Sequence, residues 1–295
     1  MVSPRGAHFL NGQPGSMTNR PARAVLFRAT VAAGAVAAVW LTGVLYGNDF
    51  SVPTSDVRRF RNVLAIFPHA DDETVNCGGA LRAWARSGAT VTLLVLTNGE
   101  RGNRRGEVDE SLKRTRQAEL QRAAGLLGIS RVIQQDFGDG ELHRRLPELA
   151  EYLDVQIGTV RPDLVVTYDH AGLYGHFDHV ACSEVVSEVT LTKWPAVPLW
   201  YVTLPPRVVT LLVRTRQLVT SPGTEARRTM PTCKVGISGH VVAKLRAWYA
   251  YRSQRQAIGR GLGQFFPVSF LISMMQFEYF AEARAVTGAV RRANR

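Results

Sequence analysis

Apolar and polar positions alternate along this chain with periods that predict its elements. Ala29–Asn48 contains no charged residue over 20 positions. That length suffices for a helix to cross a bilayer, and Trp40 and Tyr46 are placed for its interfaces. Residues 1–28 are rich in Gly, Pro, Asn and Arg and predict a basic disordered tail, and 49–61 predict a short polar linker. The folded part begins at Asn62–Phe67 (NVLAIF), a short apolar run typical of a buried strand. A helix over Val75–Ser87, stopped by Gly88, and a β-branched strand over Ala89–Thr97 complete a βαβ unit, which implies a parallel sheet. The alternation continues with a helix at Ser111–Leu127 stopped by Gly128, a strand at Arg131–Gln135, a helix at Leu146–Val160, a strand at Asp163–Tyr168 and a helix at His179–Thr190. The expected fold class is α/β, a Rossmann-like, doubly wound, mostly parallel sheet preceded by one transmembrane helix. Residues 205–230, with Pro205-Pro206 and Ser221-Pro222-Gly223, predict irregular structure. A last helix is expected over Gly239–Ile258. The apolar stretch Phe265–Phe280, interrupted by Pro267 and Glu278, reads as core packing, with an in-plane membrane contact as the alternative.

Composition changes this picture in one respect. The net charge of +12 over 295 residues suggests nucleic acid until it is located. Four Arg and no acid lie in residues 1–48, and four Arg and no acid in the basic tail 283–295. Arg207–Lys234 adds six basic residues against Glu225, and the remainder is close to neutral. A nucleic-acid enzyme carries its charge as a stripe on the folded domain, so no nucleic-acid partner is expected. An anionic membrane surface suits tails and one basic segment better. Three scattered Cys exclude a disulfide scaffold. For Ala29–Asn48 the rival readings are a cleaved signal peptide and a buried core helix; no A-x-A site follows Leu45. Arg20, Arg23 and Arg28 precede the span, whereas Arg58, Arg59 and Arg61 follow it at greater distance. The positive-inside rule therefore predicts a single-pass N-terminal anchor with the catalytic domain on the extracytoplasmic side.

Doubly wound sheets bind ligands beyond the carboxyl ends of their strands, here after Phe67, Thr97, Phe137 and Tyr168. After Phe67 stands Pro68-His69-Ala70-Asp71-Asp72-Glu73. His69 and Asp72, at i and i+3 across a strand-to-helix turn, can converge on one metal ion, leaving Asp71 free as a base. Acids complementing a helix dipole would explain Asp72 and Glu73 but not the His. After Tyr168 stands a second cluster, in which His176-x-Asp178-His179 offers a further metal ligand and a His–Asp pair. Thr97–Gly102 (TNGERG) is a tight loop in which Arg101, with Arg104 and Arg105, would hold an anionic group or simply be solvated. No GxGxxG follows the first strand, so a dinucleotide cofactor is not expected.

The sequence resembles the PIG-L/LmbE-like family of zinc-dependent de-N-acetylases. The likeness rests on PHADDE at 68–73, TNGE at 97–100, Arg116-x-x-Glu119 leading to LeuGlyIle at 127–129, TYDHAGLYGHFDH at 167–179, and Ser253-Gln254. It covers about residues 61–282, so a PIG-L/LmbE-like deacetylase domain is expected over 62–282. Ala70 departs from the Pro common in the family, but it lies between ligands. The segment 205–232 matches nothing in the family pattern. The resemblance implies Zn2+ held by His69, Asp72 and His179, with Asp71 as general base. It implies His176 as general acid or polariser of the carbonyl oxygen, Asp178 orienting it, and Glu73 organising the loop. The implied substrate is an N-acetylglucosamine attached to inositol, phosphatidylinositol or another glycan. The alternatives are an amidase acting on a larger acyl group, such as a thiol conjugate, and a non-catalytic, membrane-anchored carbohydrate-binding protein.

Overall fold

The computed structural model describes residues 20–103, 105–258 and 267–283. The expectations for 1–19, Arg104, Phe265, Phe266 and 284–295 lie outside the described residues. The chain divides into two units, ending at Leu41 and beginning at Thr42. The described part of the first unit belongs to helix α1 (Arg20–Tyr46). It starts earlier than the apolar run alone suggests, because Arg20–Arg28 holds only one breaker, Pro21, in the first turn where proline is tolerated. Ala22–Tyr46 is long and apolar enough to cross a membrane. Its side chains Val25, Leu26, Phe27, Val31 and Val36 are exposed.

The second unit is built on a seven-stranded sheet in the order β3-β2-β1-β4-β5-β7-β6. Strands β1 (Asn62–Phe67), β2 (Thr90–Val95), β3 (Arg131–Gln134), β4 (Leu164–Tyr168) and β5 (Leu199–Thr203) run parallel. β7 (Phe277–Glu282) pairs antiparallel with β5 and with β6 (Cys233–Gly236). The first four strands fall where the apolar runs predict them. Alternate residues of these strands enter two separate cores. On one face Val63, Ala65, Val91 and Leu93 meet Leu81 and Trp84 of α2 (Asp72–Arg86), Leu120 and Leu127 of α3 (Glu110–Leu127), and Ala247 of α8 (Val241–Ala250). On the other, Leu64, Ile66, Leu94 and Val165 meet Leu149 and Leu153 of α4 (Leu146–Val160) and Val185 and Val186 of α6 (Phe177–Lys193). Burial on both faces is why these strands read as continuous apolar runs. A short α5 (Gly172–Gly175) lies in the loop between β4 and α6.

The carboxyl-terminal third differs from the sequence expectation. Residues 205–230 are not wholly irregular. Pro206 opens helix α7 (Pro206–Arg214) instead of breaking one, since proline at the first helical position loses no bond. The helix expected over Gly239–Ile258 divides at Tyr251, giving α8 and α9 (Arg252–Ile258). Of the apolar stretch beyond, Val268–Met274 forms α10 and Phe277–Glu282 forms β7. Residues 49–61 are mostly exposed but are tied to the domain at two places. Ser55 N–H donates to Lys234 O at 2.8 Å, Lys234 N–H donates to Pro53 O at 2.8 Å, and Phe60 is buried in the core.

α2 is kinked at Cys77 (φ −141°), which frees amides in its second half. Glu278 on β7 takes two of them, from Gly79 N at 3.0 Å and Ala80 N at 2.6 Å. Its charge is matched by Lys244 Nζ at 2.6 Å, with both side chains fully buried. Removing one partner of a buried pair strands the other charge. Lys244→Met is therefore expected to lower the unfolding free energy by about 3–5 kcal/mol, measured by urea denaturation of the full chain in detergent.

Candidate active site

The order reversal in the sheet lies between β1 and β4, and the loops leaving their carboxyl ends carry the two His/acid clusters. His69 leaves β1 two residues before Asp71, the N-cap of α2, and His179 lies in the first turn of α6. The strands are neighbours, so the clusters meet. The ring centroids of His69, His176 and His179 are 4.8–5.3 Å apart. The His69 ring sits among three carboxylates: Asp178 Oδ2 at 3.1 Å and Asp139 Oδ1 at 3.2 Å from Nε2, and Asp72 Oδ2 at 3.4 Å from Nδ1. Asp72 Oδ1 lies 3.4 Å from His179 Nε2. His69, Asp71, Asp72, His176 and His179 line one cavity of about 580 Å³, together with Arg101, Arg116, Asp139, Tyr174 and Gln254.

Each side chain is held from behind. Tyr168 Oη donates to Asp72 Oδ1 at 2.7 Å and accepts from Asn76 Nδ2 at 2.7 Å. Its ring stacks on that of His179 at 4.4 Å and 9°. His179 Nδ1 faces the Gly172 carbonyl at 3.1 Å. With its proton there, the ring turns the Nε2 lone pair toward Asp72. A Cβ on Gly172 would come within 2.9 Å of the His179 Cβ, and its φ of +55° also favours glycine. Asp71 stands at φ 111°, a left-handed conformation costly for a non-glycine residue. Glu73 Oε2 accepts the Asp71 N–H at 3.1 Å, while its Oε1 accepts Thr74 Oγ1 and Tyr251 Oη at 2.5 and 2.7 Å. Glu73 thus organises the loop.

The electrostatics follow from burial opposed by pairing. Burial would lower the pKa of His69, but its bonds to Asp139, Asp178 and Asp72 outweigh that and raise it well above the ordinary value. Burial would raise Asp72, yet the charge of His179 and the bond to His69 hold it below the usual carboxylate range. Burial also favours the acid form of Asp139, but His69 brings it down to about 2. Asp71 has no such partner. Burial, then the negative charge of Asp72, push it well up, with Arg116 opposing. Burial lowers His179 to about 3, and burial together with the His69 charge lowers His176.

A mixed set of imidazoles and carboxylates around one cavity suits a divalent cation of zinc type. Donor atoms of His69, His176 and His179 lie within 4.8 Å of one another, as do those of His69, Asp139 and Asp178. Asp71, Asp72, Asp139 and Asp178 are all buried. The charges held by Asp72, Asp139 and Asp178 exceed that of His69, an excess that a bound cation would balance. A cation held at His69 would replace a proton that the surrounding acids now stabilise.

Asp178 behaves differently from its expected role. Its carboxylate accepts from Gly140 N at 2.7 Å and Leu142 N at 3.3 Å and faces His69, not the His176 ring. What holds His176 is the Asp178 backbone N–H, which donates to Nδ1 at 3.3 Å. In the first turn of α6 this acid points into the domain, where loop amides need an acceptor. Of the expected anion-binding arginines, Arg101 lines the cavity, whereas Arg105 is exposed beside Glu107.

Asp139 is a residue that the sequence reasoning missed. Its one local signal is Gly138-Asp139-Gly140 beyond the third strand, both glycines having positive φ. Glu100 Oε1 fixes this loop by accepting Asp139 N–H at 2.8 Å. Arg116 packs against Gly99 and Gly102 so closely that a Cβ at either would fall within 2.3 Å of the guanidinium. Glu119 accepts from Ser253 N at 3.0 Å and Ser253 Oγ at 2.6 Å, which ties Ser253-Gln254 to the pocket wall.

Comparison with known proteins accords with this geometry. Residues 64–190 match the family model described as PIG-L, GlcNAc-PI de-N-acetylase. The chain is 34% identical over 137 residues to a probable N-acetyl-α-D-glucosaminyl L-malate deacetylase 2 of Bacillus anthracis, covering 45% of this chain and 60% of that protein. It is 33% identical over 182 residues to a 1D-myo-inositol 2-acetamido-2-deoxy-α-D-glucopyranoside deacetylase of Nakamurella multipartita, covering 50% and 61%. The chain thus spans about three fifths of the length of these two curated relatives. The structure of the N,N'-diacetylchitobiose deacetylase from Pyrococcus horikoshii shares the fold, with a TM-score of 0.54 at 20% identity, covering 85% of this chain and 92% of that one. Residues 64–190 thus resemble the PIG-L family, and the chain is similar to these deacetylases over about half of its length.

Proposed function

We propose that this chain is a metal-dependent hydrolase that removes the N-acetyl group from an N-acetylglucosamine-containing glycoconjugate. The observation that carries this reading is Asp71: a buried, strained acid with a raised pKa, beside a histidine–carboxylate donor set in an open cavity. The names of the relatives, deacetylases of glucosaminyl malate and glucosaminyl inositol, support the bond and the sugar. His69, Asp72 and His179 would hold the metal, taken as Zn2+. A zinc ion there supplies a Lewis acid, which makes water more acidic and polarises a carbonyl.

The chain's own groups do the rest. Asp71 takes the proton of the water that attacks the acetyl carbonyl, and its raised pKa makes it a stronger base than an ordinary carboxylate. His176 accepts a backbone N–H at Nδ1, so in its neutral form its proton is on Nε2. That Nε2–H donates to the carbonyl oxygen as negative charge develops, a contribution of about 3–4 kcal/mol in comparable sites. Asp71 then returns the proton to the leaving amine, and acetate departs.

For the location of the enzyme, the exposed apolar side chains of α1 support a membrane anchor. Arg20, Arg23 and Arg28 favour a cytoplasmic N-terminus and an extracytoplasmic catalytic domain, against the weaker pull of Arg58, Arg59 and Arg61. Protease added to intact spheroplasts should then digest the domain; full protection would reverse the orientation.

Activity is tested by acetate release from N-acetylglucosaminyl inositol and N-acetylglucosaminyl malate by the zinc-loaded full chain. No acetate from either would reject the reading, and release of a larger acid from a thiol conjugate would favour the broader amidase. Metal analysis should find about one zinc per chain, most of it lost in His179→Ala. Asp71→Asn should keep zinc but lose about 10²–10⁴-fold in rate, whereas Asp72→Asn should weaken zinc binding. Asp71→Gly should abolish turnover while raising stability by about 1–3 kcal/mol, read by chemical denaturation, because glycine relieves the left-handed strain.

A further inference from the structure

The residues between α7 and β6 lie beyond the part of the chain that matches the family model. The catalytic chemistry described above uses none of them. They nevertheless grip the loop that carries Tyr174 and His176, at successive points along it. Thr229 N–H and Thr229 Oγ1 donate to Asp169 Oδ2 at 3.0 and 3.3 Å. Arg228 Nη2 donates to the Leu173 carbonyl at 2.7 Å. Ser221 N–H donates to Tyr174 O at 3.0 Å. Gly175 lies so close that a Cβ there would come within 2.4 Å of Thr224 Oγ1 and 2.9 Å of Ser221 Cβ. Val219, from the same segment, lines the catalytic cavity.

Arg228 holds the point of this loop that most needs holding. Leu173 has φ +63° and ψ −63°, a conformation that a residue with a side chain keeps only when its surroundings over-determine it. Among the described residues, Arg228 is the one side chain that donates to the Leu173 carbonyl. Its guanidinium is fixed on the other side by Glu225, with Nε to Oε2 and Nη2 to Oε1 both at 2.9 Å. The Arg228 side chain is 5% exposed, whereas that of Glu225 is 47% exposed. A charged donor makes a stronger bond to a carbonyl than a neutral one, and more so where water is excluded. Tyr174 and His176 follow Leu173 by one and three residues, and both line the cavity. A rotation at Leu173 would carry both with it.

We propose that Arg228 is a positioning residue for the reaction: by holding the Leu173 carbonyl it keeps the His176 ring where its Nε2–H meets the acetyl oxygen. The role given to His176 here rests on the deacetylase reading. Arg228 does not line the cavity, so it acts through the loop backbone and not through substrate. Its loss therefore weakens a contact made to the developing negative charge and leaves ground-state binding of the sugar in place, which places the effect on kcat and not on KM.

The test compares the zinc-loaded full chain in detergent with Arg228→Met, Arg228→Lys and Glu225→Gln. Acetate release gives kcat and KM, metal analysis gives zinc content, and the 15N–1H spectrum of histidine-labelled protein gives the His176 ring signals, assigned by their loss in His176→Gln. Arg228→Met should lower kcat about 10–10²-fold, with KM and zinc content unchanged and the His176 signals moved. Arg228→Lys, which keeps the charge but not the planar fork, should fall between it and wild type. Glu225→Gln, which leaves the Leu173 bond intact, should change kcat little. Unchanged kcat or unmoved His176 signals in Arg228→Met overturn the proposal. Zinc loss in that variant, or an equal fall in kcat in Glu225→Gln, assigns Arg228 a merely structural role and overturns it too. If Arg228→Met does not fold, Arg228→Lys decides, and wild-type kcat there refutes the assignment. If wild type itself releases no acetate, the deacetylase reading has failed; the histidine spectrum then judges the positioning role alone, and His176 signals identical in wild type and Arg228→Met refute it.

Discussion

Three carboxylates converging on one largely enclosed imidazole set the geometry on which the rest of the site depends. Asp72 comes from the start of α2, Asp139 from the loop beyond β3 and Asp178 from the start of α6, and all lie within 3.4 Å of the His69 ring. Each group alone would lose its charge on burial. Together they keep their charges, and each therefore needs the others in position. Three loops from separate parts of the chain are thereby fixed to one another.

That mutual dependence makes local strain tolerable. Asp71 and Leu173 both hold left-handed backbones in the flanking loops, a cost of about 1–3 kcal/mol each. Neither can relax without moving a neighbour of the charged cluster. More distant contacts add rigidity: Tyr251 on Glu73, Ser253 on Glu119 and Arg116 against two glycines. Side chains locked in this way are suited to chemistry, because groups held before substrate arrives need no reorganisation during reaction.

The same domain keeps polar and apolar demands apart. The cavity with the histidines is lined by acids and cations, whereas its neighbour toward α7, α10 and the end of α1 is lined by Leu, Val and Met. Val75 and Leu173, which face both, come from elements that also carry the site: α2 and the loop before α6. One helix and one loop are enough to set a polar cavity beside an apolar one.

The sequence by itself determined the parts whose information is local. Strands β1 to β4 and helices α2, α3, α4 and α6 follow from apolar runs of the right period, ended by Gly88 and Gly128. Strand-end position and residue type marked His69, Asp71, Asp72, His176 and His179, because two dense His/acid motifs each follow a strand. Tertiary structure decided what depends on distant partners. β5, β6 and β7 are defined by pairing one another, as Trp200 does with Glu282 and Cys233 with Phe280. Residues 53–55 lie against Lys234 because a distant edge offers them hydrogen-bond partners. Asp139 entered the site from a loop with only a Gly-Asp-Gly to mark it. The Asp178 carboxylate turned from the nearby His176 to His69 because the amides of Gly140 and Leu142, and the His69 ring, converge where it points. A spacing along the chain shows which groups are near in sequence, but a buried carboxylate is oriented by the donors that folding brings around it.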